Sequence, residues 1–169
     1  MNRQAHLQAW DMMRMRHGIG LRLLEALTYE QMTSTPIAGM RSAKELAVHM
    51  YGSIVRSLAE GPMSGAAAGV DEPAVAASLA GKEQVIAYVK ECWAAAHAAA
   101  LAVTDEQLAG TVKPYWGGEY PAFMMYLIIA DEYLHHRGQL YCYARAQGVE
   151  PPMNWDFEHN APELRQTAG

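Results

Sequence analysis

A carboxylate and an imidazole stand four residues apart near the end of the chain, where Glu132 and His136 fall in an apolar segment. This spacing places both side chains on one face of a helix. The neighbouring positions of that face are apolar, so the pair interrupts a stripe that is expected to face a core. An ionised carboxylate buried there needs a charge partner, a proton or a metal ion. A metal site is the first hypothesis that these residues support.

A third candidate ligand, His49, lies on the inward face of another predicted helix. Two imidazoles and one carboxylate form a ligand set that leaves coordination positions open, as a catalytic metal requires. We therefore take His49, Glu132 and His136 as candidate ligands of a divalent metal ion. Each also has an ordinary structural interpretation. A lone histidine on an apolar helical face is more often a hydrogen-bonded core residue, and Glu132 can instead pair with Arg137 or Arg56.

His135 lies next to this set and is close to Glu132 around the helix. It can rim the site, orient Glu132 or replace it as a ligand. Glu132-x-x-His135 is also half of the di-iron pattern of ferritin-like bundles, which requires two such motifs. No second Glu-x-x-His occurs in the sequence, so a dinuclear oxidase is disfavoured. His17 and His97 are expected at helix interfaces or on the surface.

Four helical segments are predicted to position these residues. Apolar side chains recur at intervals of three and four over about residues 5–28, 42–60, 74–103 and 121–147. The sequence has no alternating run of strand length, which predicts an all-α four-helix bundle over residues 1–152, followed by a C-terminal tail over 153–169.

Local signals mark the expected ends of these helices. Ser42 and Glu45 form a capping box at the start of the second, and Gly61 with Pro62 is expected to end it. Gly148 suits the left-handed cap after the fourth. Residues 61–73 are small and low in complexity and are expected to form a mobile loop.

The bulk composition excludes several classes of function. The formal net charge is −5 and no cluster of Lys and Arg occurs, so nucleic acid is an unlikely ligand. The richest apolar run, residues 123–130, is too short to span a membrane. Cys92 and Cys142 are expected in the core rather than in a disulfide, and the N-terminus lacks a signal peptide. We therefore expect a cytoplasmic protein with one domain.

Three motifs carry a family resemblance. They are Ser42-x-x-Glu45-Leu46-x-x-His49, then His135-His136-Arg137-Gly138-Gln139-Leu140, then the ending Ala144-Arg145-Ala146-Gln147-Gly148. In order and spacing over about residues 5–152 they resemble the DinB-like superfamily, also called YfiT-like metal-dependent hydrolases. The resemblance implies an up-down-down-up four-helix bundle, often dimeric, with a divalent metal held by three histidines. By position, those ligands fall on His49, Glu132 and His136, so one family histidine is a glutamate here.

The resemblance also implies a chemistry. Some relatives are thiol S-transferases or thiol-dependent isomerases, and a divalent cation such as Zn, Ni, Fe or Mn can activate either a thiol or a water molecule. We accordingly expect a metal-dependent thiol transferase or hydrolase that acts on a small molecule, with a low-molecular-weight thiol as a candidate co-substrate, in a homodimer. His135 would move a proton, and residues 61–73 and 111–120 would line the substrate site. The alternative is a non-catalytic, stress-associated interaction protein whose metal site is degraded by Glu132.

Overall fold

The computed structural model describes residues 1–165 of the chain. It is predominantly helical, with one small sheet. The helices are α1 (Arg3–Ala26), α2 (Tyr29–Thr33), α3 (Ala43–Val48), α4 (Ser57–Ser64), α5 (Glu72–Ser78), α6 (Lys82–Ala102), α7 (Asp105–Ala109) and α8 (Phe123–Ala146). A π-helical segment (His49–Arg56) joins α3 to α4 without a break, and a 3-10 helix (Pro162–Leu164) follows α8. Within the described part, no helix is both long and apolar enough to cross a membrane.

Several helix ends agree with the sequence signals. The Ser42 side chain accepts from the backbone N–H of Glu45, whose carboxylate in turn accepts from the backbone N–H of Ser42, which completes the predicted capping box. Gly148 takes a left-handed φ of 75° directly after the end of α8, as predicted. Both signals act over one turn of chain, so they do not depend on tertiary contacts.

One predicted helix end is wrong, and one predicted helix is divided in two. Pro62 lies inside α4, which continues to Ser64 and ends at Gly65, whose φ is 76° and whose N–H donates to the carbonyl of Gly61. A proline removes only one helical hydrogen bond, and here the left-handed glycine three residues later supplies the cap. The predicted third helix is instead two helices, α5 and α6, because residues 79–81 adopt an extended backbone between them.

The small sheet corrects the all-α prediction. Strands β1 (Ala66–Ala67), β2 (Thr111–Pro114) and β3 (Tyr120–Pro121) pair in that order. β1 runs parallel to β2, and β3 runs antiparallel to it. β1 and β3 have two residues each, and the alternation of exposed and buried residues in β2 covers only four, so the sequence contains no run of strand length. Residues 61–73, predicted to be a mobile loop, are therefore ordered by α4, β1 and the start of α5.

The core is formed where α1, the π-helical segment, α6 and α8 pack together. Its fully buried side chains include Ile19, Leu23, Val55, Val89 and Ile129. Cys92 is buried there, whereas Cys142 is exposed, contrary to the expectation that both would lie in the core. The overall arrangement is consistent with a helical bundle built on one apolar centre.

Two glycines allow side chains to approach α1 closely. A Cβ atom built on Gly20 would lie 2.1 Å from the hydroxyl of Tyr133, and one on Gly18 would lie 2.5 Å from the side chain of Asn160. Asn160 also donates to the carbonyl of Met15. The helix-weakening glycines of α1 therefore create the space in which α8 and the segment after it pack.

A chain of buried hydrogen bonds crosses this core. Nδ1 of His17 lies 3.0 Å from the hydroxyl of Tyr51, which lies 3.1 Å from the hydroxyl of Tyr133. The Tyr133 hydroxyl donates to the carbonyl of Arg16 at 3.2 Å. A carbonyl can only accept, so Tyr133 must accept from Tyr51, and Tyr51 must accept from His17. The neutral ring of His17 therefore carries its proton on Nδ1.

The segment that follows α8 packs on α1. Arg22 forms an ion pair with Asp156, and Leu164 is buried. Residues 153–165 of the predicted tail thus belong to the folded part of the chain, and residues 166–169 of that prediction lie outside the described part.

We predict that Gly20→Ala destabilises the protein although alanine favours helices. The new methyl group must displace the buried hydroxyl of Tyr133, and overpacking of this kind costs about 1–3 kcal/mol. Gly138→Ala is the matched control, because a Cβ atom there meets nothing within 4 Å. It should stabilise α8 by about 0.5–1 kcal/mol. Urea unfolding measures both, and stabilisation by both substitutions would show that α1 and α8 do not approach as described.

We also predict that lowering the pH reduces the free energy of unfolding already at pH values where exposed carboxylates are still ionised. Burial lowers the pKa of His17 from its usual 6.5 to about 3. Burial lowers the pKa of His6, His97 and His136 as well. The unfolded chain therefore takes up protons that the folded chain excludes as the pH falls below 6.5.

The contribution of His17 is fully present above that pH and is lost at a rate of about 1.4 kcal/mol per pH unit below it. Urea unfolding at a series of pH values measures the slope. A flat stability profile between neutral pH and about pH 5 would contradict the buried, neutral histidines.

Candidate metal centre

The π-helical segment and α8 bring three candidate ligands together. His49 is the first residue of the segment, and Glu132 and His136 lie one turn apart on α8. One possible ligand atom from each residue lies within 4.8 Å of the other two. The rings of His49 and His136 meet edge to face, with centroids 4.9 Å apart. Residues separated by more than 80 positions in the sequence therefore share one small site.

A carboxylate that the sequence analysis did not identify holds His49. Glu72, in the first turn of α5, accepts a hydrogen bond from Nδ1 of His49 at 2.7 Å. The same oxygen accepts from Ser53 at 2.7 Å, and the other oxygen pairs with Arg41 at 3.2 Å. Because a carboxylate only accepts, the proton of His49 is on Nδ1 and the lone pair is on Nε2.

The charge state of Glu72 suits this role. Burial alone would raise its pKa, but the hydrogen bonds from His49 and Ser53 hold the pKa of Glu72 below its usual range. The residue therefore stays ionised at neutral pH. Its only sequence signal is the Asp71-Glu72-Pro73 start of a helix, which is typical of helix N-termini and says nothing about His49.

His136 is oriented in a similar way by Gln139. Nδ1 of His136 lies 2.9 Å from the amide oxygen of Gln139, and the amide nitrogen of Gln139 lies 3.3 Å from Nε2 of His135. Oε2 of Glu132 lies 3.2 Å from Nε2 of His136. That contact is misaligned for a hydrogen bond, and Nε2 is buried without a hydrogen-bond partner. Burial lowers the pKa of His136, so its ring is neutral at neutral pH.

The site therefore presents acceptors without a donor between them. Nδ1 of each imidazole is used by Glu72 or Gln139, which leaves Nε2 of each ring with a lone pair. Glu132 adds a carboxylate, which also only accepts. Lone pairs that face one another repel unless a cation lies between them. Imidazole nitrogen and carboxylate oxygen are both ligands that bind divalent metal ions.

The salt-bridge interpretation of Glu132 finds no support in the described residues. Arg137 donates to Asn154, and Arg56 pairs with Glu60 and Glu91. The side chain of Glu132 is 42% exposed, so the carboxylate is partly hydrated and its burial is less costly than the sequence pattern suggested. Within the described part, the carboxylate of Glu132 pairs with no Lys or Arg side chain and lies beside the neutral ring of His136.

His135 and Tyr115 lie at the edge of the cluster. His135 is exposed and is not among the residues whose ligand atoms converge. Burial, followed by the negative charges of Glu72 and Glu132, raises the pKa of Tyr115. The phenol of Tyr115 is therefore protonated and lies within the field of both carboxylates.

Comparison with known proteins identifies the family. The family model described as the DinB family matches residues 1–164. The chain belongs to the DinB family. No curated protein sequence matches it significantly.

Solved structures of the DinB type share its fold. A DinB-like protein from Bacillus cereus ATCC 10987 is 18% identical, with a TM-score of 0.69 over 88% of this chain and 95% of the other. A putative DinB-family member from Exiguobacterium sibiricum 255-15 is 26% identical, with a TM-score of 0.61 over 88% of this chain and 97% of the other. These similarities support the DinB-like helical fold, and the His–Glu–His cluster can bind a metal ion within it.

We predict that Glu72 controls the tautomer of His49. In metal-free protein His49 should be protonated on Nδ1, and Glu72→Ala should give a mixture of both tautomers because the acceptor is lost. Imidazole ¹⁵N chemical shifts measure this directly. The affinity of the same variant for Zn²⁺ should fall by about 10–100-fold.

Glu60→Ala is the control, since Glu60 pairs with Arg56 at the surface. It should change neither the His49 spectrum nor the Zn²⁺ affinity. An unaltered His49 tautomer in Glu72→Ala would show that the carboxylate does not orient the ring.

Proposed function

We propose that His49, Glu132 and His136 bind one divalent metal ion and that this DinB-family protein is a metal-dependent enzyme. The observation that carries the proposal is that one possible ligand atom from each of these three residues lies within 4.8 Å of the other two. Structural histidines usually have both ring nitrogens hydrogen-bonded or hydrated, whereas Nε2 of His136 is buried without a partner. A cation would satisfy that nitrogen.

The types of the three ligands restrict which metal ions the site can bind. Two imidazoles and one carboxylate suit zinc, iron, nickel and manganese, and they lack the soft sulfur ligands that favour copper(I). Three protein ligands leave positions open for a substrate or water. The hydrogen bonds that Nδ1 of His49 and Nδ1 of His136 donate to Glu72 and Gln139 are of the kind that orients histidine ligands in metalloproteins.

The reaction type that we propose is thiol transfer or hydrolysis. A divalent ion bound there would lower the pKa of a coordinated thiol or water, which then attacks a small electrophile. The chain would supply proton transfer at its exposed edge. His135 is exposed and is linked to His136 through Gln139, so it can exchange protons with solvent while remaining next to the site.

The substrate would contact the segments that the small sheet joins. β1 pairs with β2, which ties the loop before Glu72 to the strand before Tyr115. Tyr115 packs against Gly69, where a Cβ atom would lie 2.9 Å from its ring. The protonated Tyr115 hydroxyl can donate a hydrogen bond to a substrate oxygen, because burial and then the charges of Glu72 and Glu132 raise the pKa of the phenol.

The competing function is a non-catalytic binding protein. It is favoured by the half-exposed glutamate at a position where the family resemblance implies histidine. Metal content separates the two functions. Protein purified without affinity-tag nickel and without chelator should contain close to one equivalent of metal if the first proposal is right.

We predict that variants of Glu132 change the metal preference. Glu132→His should preserve or strengthen the binding of zinc and nickel, because a third imidazole is a softer ligand than carboxylate. Glu132→Ala should weaken binding by removing one of three ligands. Elemental analysis of each variant, together with titration against Zn²⁺, measures both effects.

The same series can contradict the proposal in two ways. Equal metal content in the wild type and both variants would remove Glu132 from the ligand set. If the purified wild type contains no metal and does not bind added Zn²⁺, the proposal of a metal-dependent enzyme is wrong and the non-catalytic function remains. Thermal unfolding of each variant is the control for folding, because Glu132 has no arginine partner whose charge would be left unpaired.

A further inference from the structure

A second candidate site lies between α1 and α6, where a cavity of about 360 Å³ is closed on one side by the 3-10 helix. This is near the lower end of the volumes of small-molecule pockets. Its walls include His17 and Leu21 from α1, Trp93 and His97 from α6, and Leu164. No residue of the candidate metal centre lines it.

The deepest polar group of the cavity is His17, of which only 1% is exposed. The hydrogen-bond chain through Tyr51 and Tyr133 ends at a carbonyl, which fixes the proton of His17 on Nδ1. Nε2 of His17 is therefore an acceptor. The neutral state of this ring agrees with the low pKa that its burial causes.

Nε2 of His17 has no hydrogen-bond partner among residues 1–165. His17 itself lines the cavity. An almost fully buried acceptor at a cavity, with no partner among these residues, selects a ligand that donates a hydrogen bond.

The walls of the cavity favour a flat, uncharged ligand. The rings of His17 and His97 lie within 13° and 18° of the plane of Trp93, with centroids 4.2 and 5.7 Å from it. Nδ1 of His97 accepts from Nε1 of Trp10 at 3.0 Å, and burial lowers the pKa of His97, so this ring is also neutral. These rings stack on one another, and together with Leu21 and Leu164 they line the cavity with aromatic and aliphatic groups that suit a planar apolar molecule.

The two cationic residues at the cavity are already paired. Arg14 donates to Asp11 and to the carbonyls of Glu163 and Arg165. Lys90 pairs with Glu25 at 3.0 Å. An anionic ligand would have to compete with these contacts, so the cations do not define an anion site.

We propose that this cavity binds a small planar heteroaromatic molecule that donates an N–H hydrogen bond to Nε2 of His17. Indole is a suitable probe, because it has one ring N–H, no ring lone pair that ligates metals, and a shape that fits beside Trp93. Binding here is independent of the proposed metal function.

The test compares two isomers of equal volume on the full chain as purified. 3-Methylindole keeps the N–H donor and 1-methylindole lacks it. Calorimetric titration should show one site for indole and 3-methylindole with a Kd of about 1 mM or lower. Binding of 1-methylindole should be weaker by about tenfold or more, because Nε2 is then left without a partner.

Two variants locate the site. Leu164→Trp should fill the cavity and abolish binding, and Ala87→Trp, on an exposed position of α6, should leave it unchanged. Circular dichroism melting confirms that each variant is folded. Imidazole ¹⁵N spectra of the wild type give a readout that needs no variant: the Nε2 resonance of His17 should move on addition of indole, and those of His49 and His136 should stay.

The proposal is overturned by the absence of saturable indole binding, or by equal affinity for the two methylindoles. It is also overturned if folded Leu164→Trp binds like the wild type, or if indole shifts the resonances of His49 and His136 instead of that of His17. None of these results depends on whether the protein binds a metal.

Discussion

Burial of imidazole rings among apolar helices is the constraint on which the two candidate sites depend. Burial lowers the pKa of His17 and of His136, so these rings are neutral, with one nitrogen donating and the other accepting. His49 is only partly buried and is oriented by its hydrogen bond to Glu72. In His17, His49 and His136 the proton is on Nδ1, because a tyrosine chain, a carboxylate or an amide oxygen accepts from that nitrogen. Each ring consequently offers a lone pair on Nε2. At the candidate metal centre two such lone pairs lie near a carboxylate, which suits a cation. At the cavity between α1 and α6 a single lone pair lies beside aromatic rings, which suits a ligand that donates a hydrogen bond.

The small sheet helps to position side chains at the candidate metal centre. By pairing β1 with β2, it joins a loop that leads into α5 to a loop that leads into α8. The first loop delivers Glu72 to His49, and the second delivers Tyr115 to the neighbourhood of both carboxylates. The helices supply the three candidate ligands, whereas the segments that the sheet joins carry Glu72, which orients His49, and Tyr115, which borders the site. A variant that disrupts this pairing would alter the site without touching a ligand.

Tyr51 and Tyr133 connect the two sites through the core. Each lies within two residues of a candidate ligand, and together they hold the proton of His17 on Nδ1. Gly20 makes this possible, because only a residue without a Cβ atom leaves room on α1 for the hydroxyl of Tyr133. The glycines that weaken α1 as an isolated helix are thus required by the packing of the folded protein.

The sequence by itself determined the features that act over one helical turn. The capping box at Ser42, the left-handed Gly148 and the facing of Glu132 and His136 follow from local geometry and were predictable. The motif order also identified the family, which the match over residues 1–164 confirms. Only the tertiary structure decided which partners orient the imidazoles, because Glu72 lies 23 positions from His49 and no local rule relates them. It also decided that α4 continues past Pro62, that two-residue strands pair, and that Glu132 is half-exposed, since each depends on neighbours distant in the sequence.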